Sequence, residues 1–364
     1  MDVAEFDFEL PAELVAQEPP AERGTSRMLC LDRASGAVNH ATVASLPERL
    51  RDGDVLVVND SRVFPARLLG ARVPSGGSVE CLLIAPAASP ASTPRSATWE
   101  VLMHPGQKLK EGARFDCGAN DAVLHGEVLD RRFFGRRIVR LWVDDASPFA
   151  TVDAAVDAIG HVPLPPYIKR DDRSDDRERY QTVFARSRGS VAAPTAGLHF
   201  TEPLLARIRE RGVEVLSITL HVGYGTFQPV RVERVEDHRL HPERYHIEPA
   251  TADAINRALD EQRRVVAVGT TTTRTLEAVS RQNGGRIAPG PGETDLFISP
   301  GAAGAPGFSF QVVSGLLTNF HLPKSSLLML VAAFAGTEPV LHAYTEAIRQ
   351  RYRFYSYGDA MLIL

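Results

Sequence analysis

With 364 residues, 44% of them hydrophobic and 24% charged, and a net charge of −4, the chain has the composition of an ordinary globular protein of two domains. Its longest apolar run, Leu327 to Ala335, is about half of a bilayer crossing, and the acidic start MDVAEFDFEL lacks the basic and apolar regions of a signal peptide. Cys30, Cys81 and Cys117 stand far apart without metal or disulfide spacing, so a cytoplasmic protein with no membrane association is expected.

In chain order, MLCLDR and DVLVVN read as the first two strands. Six short runs follow between Phe64 and Val143: RVFPARLLGARV, GSVECLLIAP, ATWEVLMHP, ARFDC, AVLHGEVLD and RRIVRLWV. Gly, Pro, Asn or Asp separates most of them, and six strands at that spacing predict a small antiparallel barrel, which closes its own edges. PAASPASTPRSA (Pro86 to Ala97) reads as a low-complexity hairpin loop within it. From Arg62 to Val143 there are 12 Lys/Arg against 7 Asp/Glu, a net of +5 on an acidic protein. That is either a footprint for a phosphate backbone or a fluctuation of surface charge. RDDRSDDRER (Arg170 to Arg179) reads as a solvated linker.

From Pro203 onward the hydrophobic period lengthens. PLLARIRERG is a predicted helix with Thr201 as N-cap and Gly212 as its stop, and VEVLSITL a buried strand. TADAINRALDEQRR, capped by Thr251, is a second helix, feeding the strand VVAVGT. TTTRTLEAVSRQNGG is a third helix and TDLFIS a further strand. Strands alternating with helices predict βαβ units. The fold class expected is α/β, with a mostly parallel sheet domain (1–62 and 145–364) interrupted by an inserted small β-barrel domain (63–144).

Six segments place small, polar and His residues where a core would place Leu and Val: VNDSR, APTAGLHFT, LHVGYGTFQPV, HRLHPERY, VGTTTTRTLE and LLTNFHLPKSSLLMLVAAFAG. In VAVGTTTTR a strand ends at Gly269 and a helix starts among Thr270 to Thr273, so free backbone amides point at the sheet's carboxyl edge. Those amides, the Thr hydroxyls and Arg274 suit a carboxylate or phosphate; a threonine-rich cap without ligand reads equally well. Gly223 and Gly225 follow a strand ending near His221 and permit close approach of a ligand to the backbone, or make a plain turn. His238, His241 and Glu243 suit acid–base chemistry, metal ligation or a structural role. Asn319 and His321 precede a helix capped by Ser325 or Ser326, whose apolar run is core. No GxSxG, Walker or H-E-x-x-H pattern is present, which removes support for esterase, NTPase and zincin readings.

Taken together and in this order, APTAGLHFT, LHVGYGTF, VGTTTTRTLE, TNFHLP and YSYGDAML resemble the S-adenosylmethionine:tRNA ribosyltransferase-isomerase family of the queuosine pathway. The resemblance runs from FDFELPAELVAQ to the C-terminal AYTEAIRQRYRFYSYGDAMLIL. Departures are Gly24 where the family has Asp, Leu240 where Met is common, and Lys324-Ser325-Ser326 in place of a more usual Ser-Thr.

The resemblance implies an α/β domain interrupted by a barrel. It implies transfer of the ribosyl group of S-adenosylmethionine, a consumed cosubstrate, to 7-aminomethyl-7-deazaguanine at the wobble position of a GUN-anticodon tRNA. Adenine and methionine leave, and epoxyqueuosine is formed by a monomer without cofactor or metal. The catalytic candidates on this reading are His199, His221, His241, Glu243 and His321. Gly223, Gly225, Thr226, Thr270, Thr271, Arg274, Asp295 and Asn319 are the candidates for binding, with Asp359 behind them. Arg62, Arg67, Arg72 and the run RRFFGRRIVR (Arg131 to Arg140) are candidate phosphate contacts. A metal-dependent hydrolase built on His238, His241 and Glu243, and a non-catalytic RNA-binding module, are the rival readings.

Overall fold

A computed structural model describes residues 1–87, 92–119, 122–132, 135–227, 230–301 and 307–364, without the side chains of Thr226 and Phe227. Six antiparallel strands, Arg67–Val73, Ser78–Pro86, Ser96–His104, Arg114–Ala119, Ala122–Arg131 and Arg136–Trp142, close into a barrel. Side chains alternate between its inside and outside, so Arg137, Val139 and Leu141 of the last strand point inward together. Cys81, Val101, Phe115 and Leu124 fill the interior. Helix Val152–Ile159 caps this core with Val152, Ala155 and Val156. Of the Pro86–Ala97 loop, residues 88–91 lie outside the described residues.

Just ahead of the barrel's first strand, Ser61–Val63 pairs in parallel with Ser187–Ser190, which follows the barrel in the chain. The rest builds a sheet whose order is Gly290–Thr294, Glu243–Ile247, Glu214–Leu220, Val55–Asn59, Val265–Val268, Gly315–Asn319, Ala360–Ile363, Arg27–Leu31 and Val38–Thr42. α/β with an inserted barrel is therefore what is seen. The sheet is mixed: the four strands from Glu214–Leu220 to Gly315–Asn319 run parallel, while both edge pairings are antiparallel. Val55 to Asn59 are all buried because helices cover both faces. Val55 and Val57 pack toward the helices Pro249–Asp260 and Thr270–Gln282, Leu56 and Val58 toward Glu202–Glu210.

Thr201 caps its helix by accepting from Leu204 N, and Ser325 caps Ser326–Ala335 through Leu328 N. Thr251 does not cap. Its helix starts earlier, at Pro249, which is suited to a first turn, and the Thr251 hydroxyl donates to Ser217 O at 3.2 Å. TDLFIS is not a strand either. Pairing runs from Gly290 to Thr294 on the sheet edge, where Pro and Gly are tolerated, and stops where Leu296 N donates to the Thr294 hydroxyl. Nor is RDDRSDDRER a solvated linker. Asp176, 2% exposed, takes both Arg170 Nη atoms at 2.6 and 2.9 Å and the Tyr357 hydroxyl at 3.1 Å, tying this segment to the C-terminal one.

Among the described residues no single helix is long and apolar enough to cross a membrane. Ser326–Ala335 and Thr337–Arg349 pass that test only together, across a bend of 115°.

Candidate functional site

The four parallel strands end at Leu220, Asn59, Val268 and Asn319, and His221, Asp60, Gly269 and Phe320 follow directly. The carboxyl edge of such a sheet is where open α/β folds hold ligands. VNDSR braces this edge rather than facing a ligand. Asn59 Oδ1 accepts from Leu220 N and Ser61 N at 3.0 Å each, and Asp60 accepts from Thr219 and Arg186 at 2.6 Å. Two adjoining cavities open beyond the edge and share Val222 and Leu327.

The first cavity, about 680 Å³ counted to its solvent mouth, lies among Ala192–Ala196, Thr270, Thr271, Thr318–Leu322 and the rings of Tyr167 and Tyr355. Gly269 has φ +90°, a left-handed backbone that costs glycine least, and this turns the strand straight into helix Thr270–Gln282. The hydroxyls of Thr272, Thr273 and Thr275 donate back to Val268 O, Gly269 O and Thr271 O. Thr271 Oγ1 is buried without a partner among the described residues, and so is Asn319 Oδ1. His321 Nε2 lies 2.8 Å from the Thr318 hydroxyl, and burial pushes its pKa down to about 3. His199 is absent from the wall and sits behind Asn319, with Nε2 3.2 Å from Asn319 Nδ2. Burial first, then Arg353 and Arg23, push its pKa down to about 4, so both histidines are neutral at pH 7.

The second cavity is larger, about 1490 Å³ on the same measure, and lies between the barrel and the sheet. Glu100 and Arg136 of the barrel face His221 to Gly225, His238 to Arg244 and Arg274 across it. His221 Nδ1 is buried without a partner among the described residues, against Gly189 (φ +147°), where a Cβ would come within 2.8 Å of the imidazole Cε1. Burial, and then Arg244, lowers the His221 pKa; burial, and then Arg136, lowers that of His241. Glu243 Oε1 accepts from Gly223 N at 2.8 Å. Glu243 Oε2 lies 2.9 Å from Arg274 Nη1, both side chains being almost sealed (7% and 5% exposed). That contact is an ion pair out of hydrogen-bond alignment, since Oε2 forms no aligned bond. Arg274 Nε donates to Leu296 O at 3.1 Å, and Nη2 is left without a partner among the described residues.

Thr270, Thr271, Asn319 and His321 thus come together in one cavity, and His221, Gly223, Gly225, His241, Glu243 and Arg274 in the other. The clamp expected from Thr270, Thr271 and Arg274 is divided, because Arg274, one turn further along the helix, opens on the second cavity. Gly223 and Gly225 serve by leaving room, since neither has a left-handed backbone. The Thr226 side chain falls outside the described residues. Asp295 does not join the site: it is exposed on the turn after Gly290–Thr294 and lines neither cavity. Asp359 is buried away from both, accepting from Arg27 N and Arg353 N.

Glu243 is also not a hydrogen-bonding orienter of His241, because its oxygens go to Gly223 and Arg274. Among the described residues no three His, Cys, Asp or Glu side chains are gathered as a metal-ligand set. Arg137, a candidate phosphate contact by sequence, is 1% exposed and donates to Leu109 O and Arg136 O inside the barrel. Arg67, Arg136 and Arg140 pair with Glu80, Glu100 and Glu127, while Arg62, Arg131 and Arg132 are exposed, Arg132 with its Nε 3.1 Å from Asp130. Sequence reasoning missed Tyr167, Tyr355, Glu100 and Glu293 as lining residues. Only Tyr355 carried a signal, as the first residue of the YSYGDAML motif.

The model of a family described as "Queuosine biosynthesis protein" matches residues 3–363. Among relatives named S-adenosylmethionine:tRNA ribosyltransferase-isomerase, that of Heliobacterium modesticaldum is 48% identical and that of Desulfitobacterium hafniense 47%, with all of both chains covered in each case. The crystal structure of S-adenosylmethionine tRNA ribosyltransferase from Thermotoga maritima is 35% identical, covers 99% of this chain and 100% of its own, and has a TM-score of 0.53. An end-to-end match on this scale, over a fold with the same two parts that the motifs implied, means that the chain belongs to the queuosine biosynthesis protein family, an enzyme family whose curated members carry the ribosyltransferase-isomerase name.

Proposed function

We propose that the chain transfers and isomerises the ribosyl moiety of S-adenosylmethionine onto 7-aminomethyl-7-deazaguanine at the wobble position of GUN-anticodon tRNA, giving epoxyqueuosine, adenine and methionine. The observation that carries this reading is the pair of adjoining cavities at one sheet edge, one uncharged and one charged, with the barrel walling the second. A two-part cosubstrate and a polar nucleotide need such a pair of spaces. The amine nitrogen gains a bond to the ribosyl fragment and the fragment closes one new carbon–carbon bond to become the epoxide-bearing carbocycle, while its bonds to adenine and to the methionine sulfur break. One proton comes from the carbon beside the sulfonium and one from the amine, and the departing adenine takes one up.

Neutral imidazoles suit the first two tasks, and His221 and His241, with pKa values lowered by burial, face the cavity that would receive the amine. The free Nη2 of Arg274 suits the methionine carboxylate, with Gly223 and Gly225 lining the same cavity. The wobble base, from a single-stranded loop, is splayed into the second cavity at modest cost, and Arg62, Arg131 and Arg132 are exposed for the RNA backbone. The sulfonium already activates the sugar, so no cofactor or metal is required. The enzyme acts in the cytoplasm as a monomer on this reading.

Incubation with S-adenosylmethionine and an anticodon stem-loop bearing the deazaguanine should release adenine and methionine in equal amounts, with no methylated RNA. S-adenosylhomocysteine in their place would make the chain a methyltransferase.

A further inference from the structure

S-adenosylmethionine has a neutral end, the purine, and a charged end, the sulfonium with its amino acid. The two cavities differ in the same way. Among the described residues no Asp, Glu, Lys or Arg lines the first, and its histidine, His321, is neutral, whereas Glu100, Arg136, Glu243 and Arg274 face the second. Sealing an amino-acid zwitterion in the first would strand both charges without partners; a purine has none to strand.

The polar atoms of the first cavity also have a definite sense. Asn319 Nδ2 lies 3.2 Å from Tyr355 O, and a backbone carbonyl can only accept, so the nitrogen is the atom on that side of the amide. The same NH2 lies 3.2 Å from His199 Nε2, which must then accept as well, leaving the proton of the neutral ring on Nδ1. With both amide hydrogens held at the rear, Asn319 Oδ1 is turned forward as a buried acceptor without a partner among the described residues. Such an atom demands a donor. Thr271 Oγ1, equally buried and unpartnered, can give or take a hydrogen bond at a ring nitrogen. Tyr167 and Tyr355, with ring centroids 4.7 Å apart, supply an aromatic wall for a flat heterocycle.

Building on the function proposed above, we infer that the first cavity is the adenine pocket. In it Asn319 Oδ1 accepts from the exocyclic 6-amino group, and His199 is the positioning residue that fixes the direction of that amide. A 6-oxo purine would place one carbonyl oxygen against another, so the pocket discriminates against it.

The test compares S-adenosylmethionine with S-inosylmethionine, its 6-oxo analogue, using the modified stem-loop as acceptor. The wild type should favour the amino form in kcat/KM on the order of 10⁴-fold, the scale on which sites built to hydrogen-bond a polar group reject the analogue that lacks it. His199→Gln, which keeps an acceptor toward Asn319, should retain most of that preference. His199→Leu frees the amide to turn, and its preference should collapse toward unity. Wild-type turnover of both analogues at equal rates would overturn the pocket assignment and leave the function standing, whereas turnover of neither would overturn the function. Full preference in a folded His199→Leu protein would remove the positioning role. Binding gives a readout that needs no turnover and no variant: adenine should raise the wild-type melting temperature and hypoxanthine should not. Equal shifts would sink the proposal.

Discussion

The two cavities open from one sheet edge and share Val222 and Leu327, yet they are made of different materials. Backbone turns, hydroxyls, one amide and one neutral imidazole form the polar surface of the first, most of them carried by strand ends and by the turns and helix start directly after them. The second needs the barrel, whose Glu100 and Arg136 close it, and a buried ion pair between the second strand of the sheet and a central helix. A neutral pocket tolerates single polar deletions cheaply, because an unpartnered hydroxyl leaves nothing stranded when removed. A charged one does not, since each ion there exists only by virtue of the other.

The largest expected effect follows from that asymmetry. Glu243→Ala would leave the Arg274 guanidinium sealed without a counter-ion and should cost about 3–5 kcal/mol of stability in urea unfolding. Thr271→Val, its counterpart in the first cavity, should be close to neutral. Comparable losses for the two variants would erase the distinction between the cavities.

Next in size is the second cavity's histidine. His241→Ala should lower turnover on the order of 10²-fold, with melting temperature and RNA binding near wild type and no inhibition by EDTA. His241→Gln should fail similarly, because Gln carries no proton near neutral pH. Early unfolding would make His241 structural; EDTA inhibition reversed by zinc would make it a ligand.

The first cavity has its own signature in pH. His199 and His321 have folded pKa values of about 4 and about 3, against 6.5 for an unperturbed His, so the unfolded chain binds protons first as pH falls. Their contribution is complete above pH 6.5 and is lost as pH drops from there toward 4 for His199 and toward 3 for His321, by up to ~1.4 kcal/mol per histidine per pH unit. Urea midpoints at pH 7, 6 and 5 should decline accordingly, and His199→Gln should decline less steeply. A flat profile would mean that these rings are solvated.

The smallest effect lies on the barrel. Arg131→Ala with Arg132→Ala should weaken stem-loop binding and lower the slope of log K against log salt by roughly 0.7 for each phosphate no longer neutralised. Arg137→Ala should instead lower stability, because its side chain is held inside the barrel. An unchanged salt slope in the first variant would move the RNA elsewhere.

Much of the molecule is legible from local pattern. The six barrel strands, the helix started by Thr201 and the strand-to-helix turn at Gly269 are each written in a few consecutive residues. The inward direction of Arg137 is implicit in the two-residue period of RRIVRLW, where it shares a face with Val139 and Leu141. The basic character of that run masks the period, because arginines in series look like surface. Thr251 misleads for a related reason: Pro249 starts a helix as well as a Thr caps one, and only the packed structure shows which did.

The chain's own residues determined that strand ends would carry His221, Gly269, Asn319 and His321, since period and turn chemistry act over a few residues. Only the tertiary structure decided which of them share a space. Glu243 meets Arg274, Asn319 meets His199, and Glu100 of the barrel faces His241, through contacts between segments far apart in sequence. Long-range pairing and burial select one acceptor for each donor, and no local pattern encodes that choice. Asp295 and Asp359 show the converse: both had suitable chemistry, but one is left in solvent and the other is spent holding backbone amides.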